Sequence, residues 1–388
     1  MGCTEDISGG EIYFDNNATT RPLPEVTEAM HEAMGEGFGN PSSAHSAGER
    51  ARRRMDLARK RTSDLVGCSP EDLIFTSSGT ESNNMVFYSC TRKKNRPRVV
   101  TTQVEHSSIM KMCNFLELND VHIEMLEVDE QGALDIQRLE DALSEKTDLV
   151  SVQWVNNETG VIQDMASISE LCRKNNVLLH TDAAQAVGKL KVDLAKLHVD
   201  FLSFTAHKIS GPQGAAVLYA KDRLLVNPFL FGGFQEEGFR PGTENLPGIA
   251  GLGTACEIRH ASFERAVGKM RGLRDQFEKT IIESILDTSI NGGGGERVCN
   301  TTNIHFGGTD GRKLVSLLDE AGIRCSQSSA CTNFDVTPSY VLTAMGLDEQ
   351  HAYSSIRFSF CPENSFEETQ RAAEIIREKC EFLRSHPC

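Results

Sequence analysis

The sequence predicts an α/β fold, with a large domain whose mostly parallel sheet is flanked by helices and a smaller α+β domain. Helical and strand patterns alternate from about residue 20 to residue 220, which favours a parallel sheet covered on both faces. Further along, a long helical region precedes mixed helix and strand. The chain of 388 residues is also too long for one small core. We expect a large domain at 15–250 and a small domain formed by 1–14 and 251–388.

Apolar spacing and short apolar runs predict the individual elements of the large domain. The segments with helical spacing are PEVTEAMHEAM (24–34), AGERARRRMDLARKRTSDLV (47–66) and MASISELCRKNN (165–176). The runs typical of short buried strands are RVVTT (98–102), LVSVQWV (149–155), VLLHTD (177–182) and DFLSFTA (200–206). Ligands of such sheets bind beyond the carboxyl ends of the strands. The residues that follow these four runs are therefore the first candidates for a site.

Charge and hydropathy exclude two classes of partner. The formal net charge of −15 argues against a protein that binds the phosphate backbone of nucleic acids. No apolar run approaches the roughly 18 residues that a membrane helix requires. The first ten residues, MGCTEDISGG, contain neither a basic flank nor an apolar core, so we expect no export signal. A cytoplasmic location is the resulting expectation.

The twelve cysteines are scattered from Cys3 to Cys388, and no Cys-x-x-Cys pair occurs. This spacing gives little support for a zinc or iron–sulfur cage, so no metal site is predicted. In a large chain without an export signal, mostly inert thiols in a reducing compartment are expected. One or two of them can still be reactive.

Unusual polar residues follow the predicted strands. Asp182 ends VLLHTD, Lys208 follows DFLSFTAH, His106 follows VVTTQVE, and Asn156 and Asn157 follow VSVQWV. In a parallel sheet these points share one edge, so the side chains can converge. A lysine that forms a Schiff base and an acid that pairs with a pyridinium nitrogen indicate pyridoxal phosphate (PLP). Taken singly, a turn lysine, a helix-capping aspartate or a core histidine would also explain these residues.

The segment TSSGTESNN (76–84) predicts a cradle for the phosphate of that cofactor. It is a Ser/Gly/Thr turn that opens a helical stretch. Free N–H groups and the helix dipole favour an anion at such a helix start.

Ten segments, in order and spread over nearly the whole chain, resemble the cysteine desulfurases of the NifS/IscS type. These enzymes belong to the class V aminotransferase group of fold type I PLP enzymes. The segments are YFDNNATT (13–20), GNPSSAHSAG (39–48), FTSSGTESNN (75–84), VEHSSI (104–109), VNNETGVIQ (155–163), HTDAAQAVGK (180–189), SFTAHKISGPQG (203–214), RPGTEN (240–245), SSACT (328–332) and SSIRFS (354–359). Any one of them is weakly specific, whereas ten in order are highly specific. The resemblance implies that the large domain binds PLP and that the small domain carries a catalytic cysteine loop.

The resemblance also implies roles for single residues around the cofactor. Lys208 would bind PLP covalently and act in catalysis, and Asp182 would hold the proton on the pyridinium nitrogen. His106 would stack on the ring and move protons. The other implied cofactor-binding residues are Gln185 at ring oxygen O3′, Asn157, and, at the phosphate, Gly79, Thr80, Thr205, His207 and Thr243. Because Thr243 would come from the other subunit, the resemblance implies a homodimer with shared active sites.

Substrate binding and sulfur transfer are assigned by the same resemblance. Arg357 in SSIRFS would bind the substrate carboxylate with its guanidinium fork, helped by Asn17 in DNNATT. A structural ion pair is the alternative for Arg357. Cys331 in SSACT would attack the substrate sulfur and become a persulfide, and the small polar residues around it predict a loop. Cys325 and Cys361 flank the same region and are the other candidate thiols.

The implied function is that of a PLP-dependent cysteine desulfurase. Such an enzyme converts L-cysteine to L-alanine and passes the Cys331 persulfide to a protein sulfur acceptor, for iron–sulfur clusters or tRNA thiolation. The alternatives are a selenocysteine lyase, another class V activity such as an aminotransferase or a sulfinate lyase, and a cofactor-free thiol-rich protein. Phe234 and Glu237 stand where relatives commonly have Gly and Arg, so dimer or pocket contacts there can differ.

Overall fold

A computed structural model of the chain describes residues 10–92, 94–327 and 338–386. The strands within these ranges are β1 (Ile12–Tyr13), β2 (Leu73–Thr76), β3 (Arg98–Thr102), β4 (His122–Leu126), β5 (Leu149–Ser151), β6 (Leu178–Asp182), β7 (Phe201–Thr205), β8 (Ala216–Ala220), β9 (Thr288–Ile290), β10 (Thr301–Phe306), β11 (Ile323–Arg324) and β12 (Ser355–Ser359). The α-helices are α1 (Pro24–Met34), α2 (Ser46–Val66), α3 (Gly79–Thr91), α4 (Ser107–Glu117), α5 (Ile136–Ala142), α6 (Met165–Asn175), α7 (Leu246–Ser284), α8 (Gly311–Glu320), α9 (Tyr340–Ala344), α10 (Glu349–Tyr353) and α11 (Phe366–Ser385).

A seven-stranded sheet with the order β2-β8-β7-β6-β5-β3-β4 forms the centre of the molecule. The strands from β4 to β7 in this order pair in parallel. Only β8 runs antiparallel to its neighbours, β2 and β7. Helices cover the sheet, so the predicted α/β class with a mostly parallel sheet is confirmed.

The three predicted helices are confirmed to within one residue at each end, and local sequence explains where they stop. His45 caps the start of α2, and Gly67 ends it in the left-handed conformation, with φ of 69°. Asp164 caps the start of α6, and Asn176 ends it with φ of 54°. None of the helices in the described ranges combines the length and the apolar character that crossing a membrane requires.

The four predicted strands are present, but β5 ends at Ser151 rather than at residue 155. Val152 and Trp154 still donate main-chain hydrogen bonds to β6. On the other side, the amide of Gln153 donates to both carboxylate oxygens of Glu105, at 3.0 and 2.9 Å. The Glu105 side chain therefore accepts the hydrogen bonds that β3 would otherwise accept, and the pairing of β3 with β5 stops before the carboxyl edge of the sheet.

One apolar core lies on each face of the large sheet. A third core contains residues of strands outside that sheet. That third core contains Ile12 and Phe14 together with residues from 273 to 380. The 39-residue helix α7 joins the two parts of the molecule. Its first half packs into the core of the large sheet, and Leu273, Phe277 and Ile281 pack into the third core. The division into 15–250 and 1–14 plus 251–388 stays a prediction, and α7 crosses its boundary.

Candidate active site

The carboxyl edge of the large sheet gathers the polar residues that follow its strands. β6 ends at Asp182, and β7 leads at once into a 3-10 turn that contains Lys208. His106 lies four residues after the end of β3 and caps the N-terminus of α4. Asn157 follows β5 and is buried. The predicted convergence of these side chains is therefore what the fold produces.

Asp182 is buried and accepts two hydrogen bonds. Its Oδ2 accepts from Nδ2 of Asn83 at 2.8 Å, and its Oδ1 accepts from the main-chain N–H of Ala184 at 3.0 Å. Asn83, on α3, is a residue that sequence reasoning missed, and its position in the TESNN segment was the available signal.

Asn17 connects the N-terminal segment to the strand edge. Its carbonyl oxygen accepts from Nζ of Lys208 and from Nε2 of Gln185, the latter at 3.1 Å. Its Nδ2 donates to the carbonyl oxygen of Asn157 at 3.1 Å and to Oγ1 of Thr301 at 2.8 Å. The structure thus brings Asn17, Gln185, Asn157 and Lys208 together, as the sequence implied.

Lys208 lies at the surface of this cluster and is half-buried. Besides the contact with Asn17, its Nζ donates to the carbonyl oxygen of Ala18 at 2.7 Å. Both acceptors belong to the DNNATT segment. The N-terminal segment therefore fixes the amine at the edge of the sheet.

Lys189 is a second lysine of the cluster, and sequence reasoning missed it. Its Nζ donates to Oε1 of Gln185 and lies 3.4 Å from Oδ1 of Asn17. Burial, with a smaller contribution from the charge of Lys208, lowers its pKa to about 7. The contact with Oε1 turns Nε2 of Gln185 toward Asn17 and the site. A lysine inside the apolar run AVGKLKV was the signal that could have identified it.

His106 and the adjacent Glu105 are two titratable groups of one turn. Burial lowers the pKa of His106, the charge of Asp182 raises it and that of Lys208 lowers it. Burial raises the pKa of the Glu105 carboxyl to about 8. Thr102 Oγ1 donates to the Glu105 carboxylate at 2.6 Å, in addition to the bonds from Gln153. Both groups are therefore biased toward their neutral forms.

The N-terminus of α3 presents main-chain N–H groups that can donate hydrogen bonds to an anion. Ser78 caps the helix by accepting the N–H of Glu81 at 3.1 Å. Within the described ranges, the N–H groups of Gly79 and Thr80 have no hydrogen-bond partner. A Cβ atom placed on Gly79 would meet no atom within 4 Å, so the space before this helix end is open.

Thr205 and His207, the other predicted phosphate ligands, are held by contacts inside the chain. The hydroxyl of Thr205 donates to the carbonyl oxygen of Ala215 at 3.2 Å. Nδ1 of His207 lies 3.2 Å from Oγ1 of Thr19. Burial, then the charges of Lys208 and Lys189, lower the pKa of His207 to about 3, so its ring is neutral at physiological pH.

Arg357 is 1% exposed and lies on β12 next to the cluster. Its Nη2 forms an ion pair with Oδ1 of Asp15 at 2.7 Å, and its Nη1 donates to the carbonyl oxygen of Asn157 at 3.1 Å. Its buried Nε has no hydrogen-bond partner among the described residues. The guanidinium therefore takes part in a structural ion pair and also borders the site.

Comparison with known proteins identifies the family of this arrangement. Residues 12–372 match the family model described as aminotransferase class-V. The chain belongs to the class-V aminotransferase family.

Members of the family with desulfurase names are similar to the chain over nearly its whole length. A cysteine desulfurase of Trichormus azollae is 38% identical over 375 residues, which cover 96% of this chain and 94% of that protein. A cysteine desulfurase IscS of Methanosarcina thermophila is 37% identical over 377 residues, with 96% and 93% covered. The resemblance to desulfurases of the NifS/IscS type is thus confirmed.

Two solved structures are similar to the chain over most of its length. A NifS-like protein has a TM-score of 0.90 and 34% identity, and the match covers 96% of this chain and 100% of that one. A structure described as SspA in complex with cysteine has a TM-score of 0.81 and 32% identity, with 91% and 100% covered.

One residue assigned from the family makes no hydrogen bond to the cluster, and another lies outside the described residues. Thr243 is exposed and forms no hydrogen bond with the other described site residues. Cys331 lies outside the described residues. Burial raises the pKa of Cys361 to about 12 and raises that of Cys325 as well. Burial therefore disfavours the thiolate form of both cysteines, which is the reactive form.

The segment with unusual residues for the family has a distinct backbone. Glu236 and Glu237 both have positive φ, 46° and 55°. The buried carboxylate of Glu236 binds Arg59 at 2.6 Å, and Glu237 pairs with Arg223 at 3.1 Å. The side chain of Phe234 is 83% exposed. The departures at Phe234 and Glu237 thus fall in an outward-facing turn, which Glu236 connects to α2 through Arg59 and to β2 by accepting the N–H of Phe75 at 2.9 Å.

Proposed function

We propose that this protein is a PLP-dependent cysteine desulfurase that converts L-cysteine to L-alanine and retains the sulfur as a persulfide. Its desulfurase relatives and the NifS-like structures, one of them described as a complex with cysteine, support this activity. The observation that carries the proposal is the meeting of Lys208, Asp182 and His106 at the carboxyl edge of the parallel sheet. These are the residue types that PLP chemistry uses.

The residues at the strand edge fit PLP. Asp182, whose two carboxylate oxygens accept hydrogen bonds from Asn83 and Ala184, suits a pyridinium nitrogen. The N–H groups at the start of α3, which have no partner in the part of the chain that the structure describes, and the open space beside Gly79 there suit the phosphate. When bound, PLP supplies an electron-withdrawing ring that stabilises negative charge at the substrate α-carbon.

We assign the following roles to residues of the large domain. Lys208 would attach the cofactor and then take the proton from the α-carbon of cysteine. Asp182 would keep the ring nitrogen protonated, and Gln185, oriented by Lys189, would donate to the ring oxygen. The phosphate ligands would be Gly79, Thr80, Thr205 and His207. Asn157 would help to seat the cofactor.

Arg357 and Asn17 would hold the substrate carboxylate. Among the described residues, the buried Nε–H of Arg357 has no hydrogen-bond partner, and Nη1 donates to a main-chain oxygen. A carboxylate is the group that a guanidinium fork binds best. Asp15 already neutralises part of the charge, so the clamp is weaker than an unpaired arginine would be.

Cys331 would perform the sulfur transfer. Its thiolate would attack the sulfur of the bound cysteine, so that an S–S bond forms while the carbon–sulfur bond breaks. The electron pair left on carbon takes up a proton, and L-alanine is released. The persulfide then passes to a protein sulfur acceptor, with iron–sulfur cluster assembly as the expected use.

We further propose a cytoplasmic homodimer with shared active sites. The exposed Thr243 would reach the phosphate in the partner's site. Leu224, Phe231 and Phe234 are each more than 80% exposed in one segment, which suits burial against a second copy. The nine described cysteines are all free, which fits a reducing compartment.

The release of alanine and sulfide from L-cysteine, with selenocysteine in parallel, tests this function. A desulfurase produces both products in equal amounts in the presence of a reductant, and this activity requires Cys331. A protein that cleaves only selenocysteine, or that works equally well with Cys331→Ser, would be a lyase instead. A purified protein that is colourless and does not bind added PLP would contradict both assignments.

A further inference from the structure

We propose that a directed chain of hydrogen bonds holds His106 as the neutral tautomer with its proton on Nε2, so that this ring serves as a hydrogen-bond donor and not as a base. The chain runs through Asn83 and Ser108, two positioning residues that are buried beneath the site. The tautomer follows from the structure alone, and only its catalytic meaning rests on the proposed function.

The orientation of the Asn83 amide is fixed by its partners. Nδ2 lies 2.8 Å from Oδ2 of Asp182, which is an acceptor when ionised. The same Nδ2 lies 3.0 Å from Oγ of Ser108, and Oδ1 contacts Oγ of Ser203. The amide nitrogen has two protons, one for each neighbour, and the amide oxygen can only accept. Ser108 therefore accepts from Asn83, and Ser203 donates to it.

The direction at Ser108 determines the proton on His106. Oγ of Ser108 lies 2.8 Å from Nδ1 of His106. Because this hydroxyl oxygen already accepts from Asn83, its own proton is free to point at Nδ1. The main-chain N–H of Ser108 also donates to Nδ1, at 3.2 Å. Two donors aimed at one ring nitrogen require a lone pair there, so the ring proton lies on Nε2.

A second buried histidine, His180, shows that the same direction continues deeper into the sheet. The only proton of the Ser203 hydroxyl is used toward Asn83, so Nε2 of His180, 3.3 Å away, is the donor to Ser203. Nδ1 of His180 then accepts from the hydroxyl of Ser151 at 2.8 Å. Burial lowers the pKa of His180 to about 4, in agreement with a neutral ring. In every hydrogen bond of this series, the donor therefore lies on the His180 side and the acceptor on the side of Asp182 and His106.

Placing a second proton on His106 would disturb this chain. The N–H of Ser108 would lose its acceptor, and the Ser108 hydroxyl proton would need another partner. A buried donor without an acceptor is costly. The charged groups that act on the ring are Asp182, which favours the imidazolium, and Lys208, which opposes it, while Glu105 of the same turn directs its carboxylate to Gln153.

This proton placement changes what His106 can do in the proposed reaction. A nitrogen that already carries a proton cannot accept one from the substrate thiol or the α-carbon. Nε2 can instead donate a hydrogen bond to negative charge that develops on the substrate, as a neutral histidine does in other enzymes. Proton removal would then be the task of Lys208.

Nitrogen-15 NMR of histidine-labelled protein, purified with its cofactor, tests the tautomer without any substrate. His106→Gln identifies the signals of this ring. We expect Nδ1 to show the shift of an unprotonated nitrogen and Nε2 that of a protonated one. We expect Ser108→Ala to introduce the other tautomer and to move the titration of the ring to higher pH, by about half to one unit for one lost hydrogen bond.

Ser107→Ala is the matched control, because Ser107 lies beside Ser108 on α4 and makes no side-chain hydrogen bond within the described ranges. It should leave the signals unchanged. A wild-type ring that is charged or protonated on Nδ1 at neutral pH would overturn the proposal, as would a Ser108→Ala protein with the wild-type tautomer and titration. Since no turnover is measured, these outcomes are independent of whether the protein is a desulfurase.

Discussion

Two parts of the proposed site differ in how completely the chain satisfies their polar groups. At the strand edge, Asn17, Asn83 and Asp182 are buried, and every side-chain polar atom of these three residues has a partner within the chain. At the start of α3, the N–H groups of Gly79 and Thr80 have none among the described residues. The fold itself therefore positions these three strand-edge residues, whereas the helix end is complementary to an anion from outside.

The largest expected effect is that of removing the amine at the strand edge. Lys208→Ala should lower kcat by about 10²–10⁴-fold, because proton transfer at the α-carbon loses its base. It should also abolish the linkage to the cofactor that borohydride traps in the wild type. Lys191→Ala, which removes an exposed lysine of the same domain, is the control. Trapping that maps to a lysine other than Lys208 would refute the site assignment.

Arg357→Lys tests whether the buried guanidinium is a substrate clamp or only an ion pair. A point charge cannot replace the fork, so we expect the KM for cysteine to rise by the equivalent of about 1.5–3 kcal/mol while kcat changes less. Asp15→Asn should instead lower the KM for cysteine, because it releases Nη2 of Arg357 from its ion pair. A loss of stability in both variants with an unchanged KM would leave Arg357 with a structural role alone.

Glu105→Gln tests the paired part of the site through its pH dependence. The pKa of Glu105 is raised from the ordinary value of 4.5 to about 8, so the folded state binds its proton more tightly than the unfolded state does. This group contributes stability that is fully present below about pH 4.5 and is lost as the pH rises through about 8. Between these two pH values, proton release from Glu105 contributes up to about one proton to the slope of the unfolding free energy of the wild type against pH. Glu105→Gln should lack this contribution.

Denaturant unfolding at several pH values gives that slope. Glu117→Gln, which changes an exposed carboxylate of α4, serves as the reference. Equal slopes in Glu105→Gln and in the wild type would mean that Glu105 is ionised in the folded protein at neutral pH.

Gly79→Ala should have the smallest effect on the fold and tests the open part of the site. The added methyl group meets no atom of the protein within 4 Å, and alanine restricts the unfolded chain more than glycine does. The cofactor-free protein should keep its stability or gain about 0.4–1 kcal/mol. The affinity for PLP, measured by titration of the apoprotein, should fall because the methyl group occupies the approach of the phosphate. An unchanged affinity would separate Gly79 from the phosphate site.

The sequence was sufficient to predict the sheet class and the strand-end residues, because buried parallel strands are continuous apolar runs and their ends are marked by polar residues. Lys208, Asp182 and His106 could be found in this way. The antiparallel strand β8 was not anticipated, since nothing in AVLYA indicates strand direction.

The residues that the sequence did not reveal act through contacts between distant segments. Asn83 matters because α3 packs over β6 and β7, and Lys189 because its amine reaches Gln185 and Asn17. The contacts of Asn83 with Asp182 and Ser203, and that of Lys189 with Asn17, join segments far apart in the sequence, so the local signals around these two residues do not encode them. Ser108 likewise becomes informative only when the positions of Asn83 and His106 are both known.

Mass spectrometry of the protein after exposure to L-cysteine tests the proposed function most directly. We expect one added sulfur on Cys331, with one alanine released for each persulfide formed in a single turnover. Cys331→Ser should form neither product while it retains bound PLP. Added sulfur mainly on Cys325 or Cys361, or full alanine release by the Cys331→Ser protein, would overturn the proposed role of Cys331.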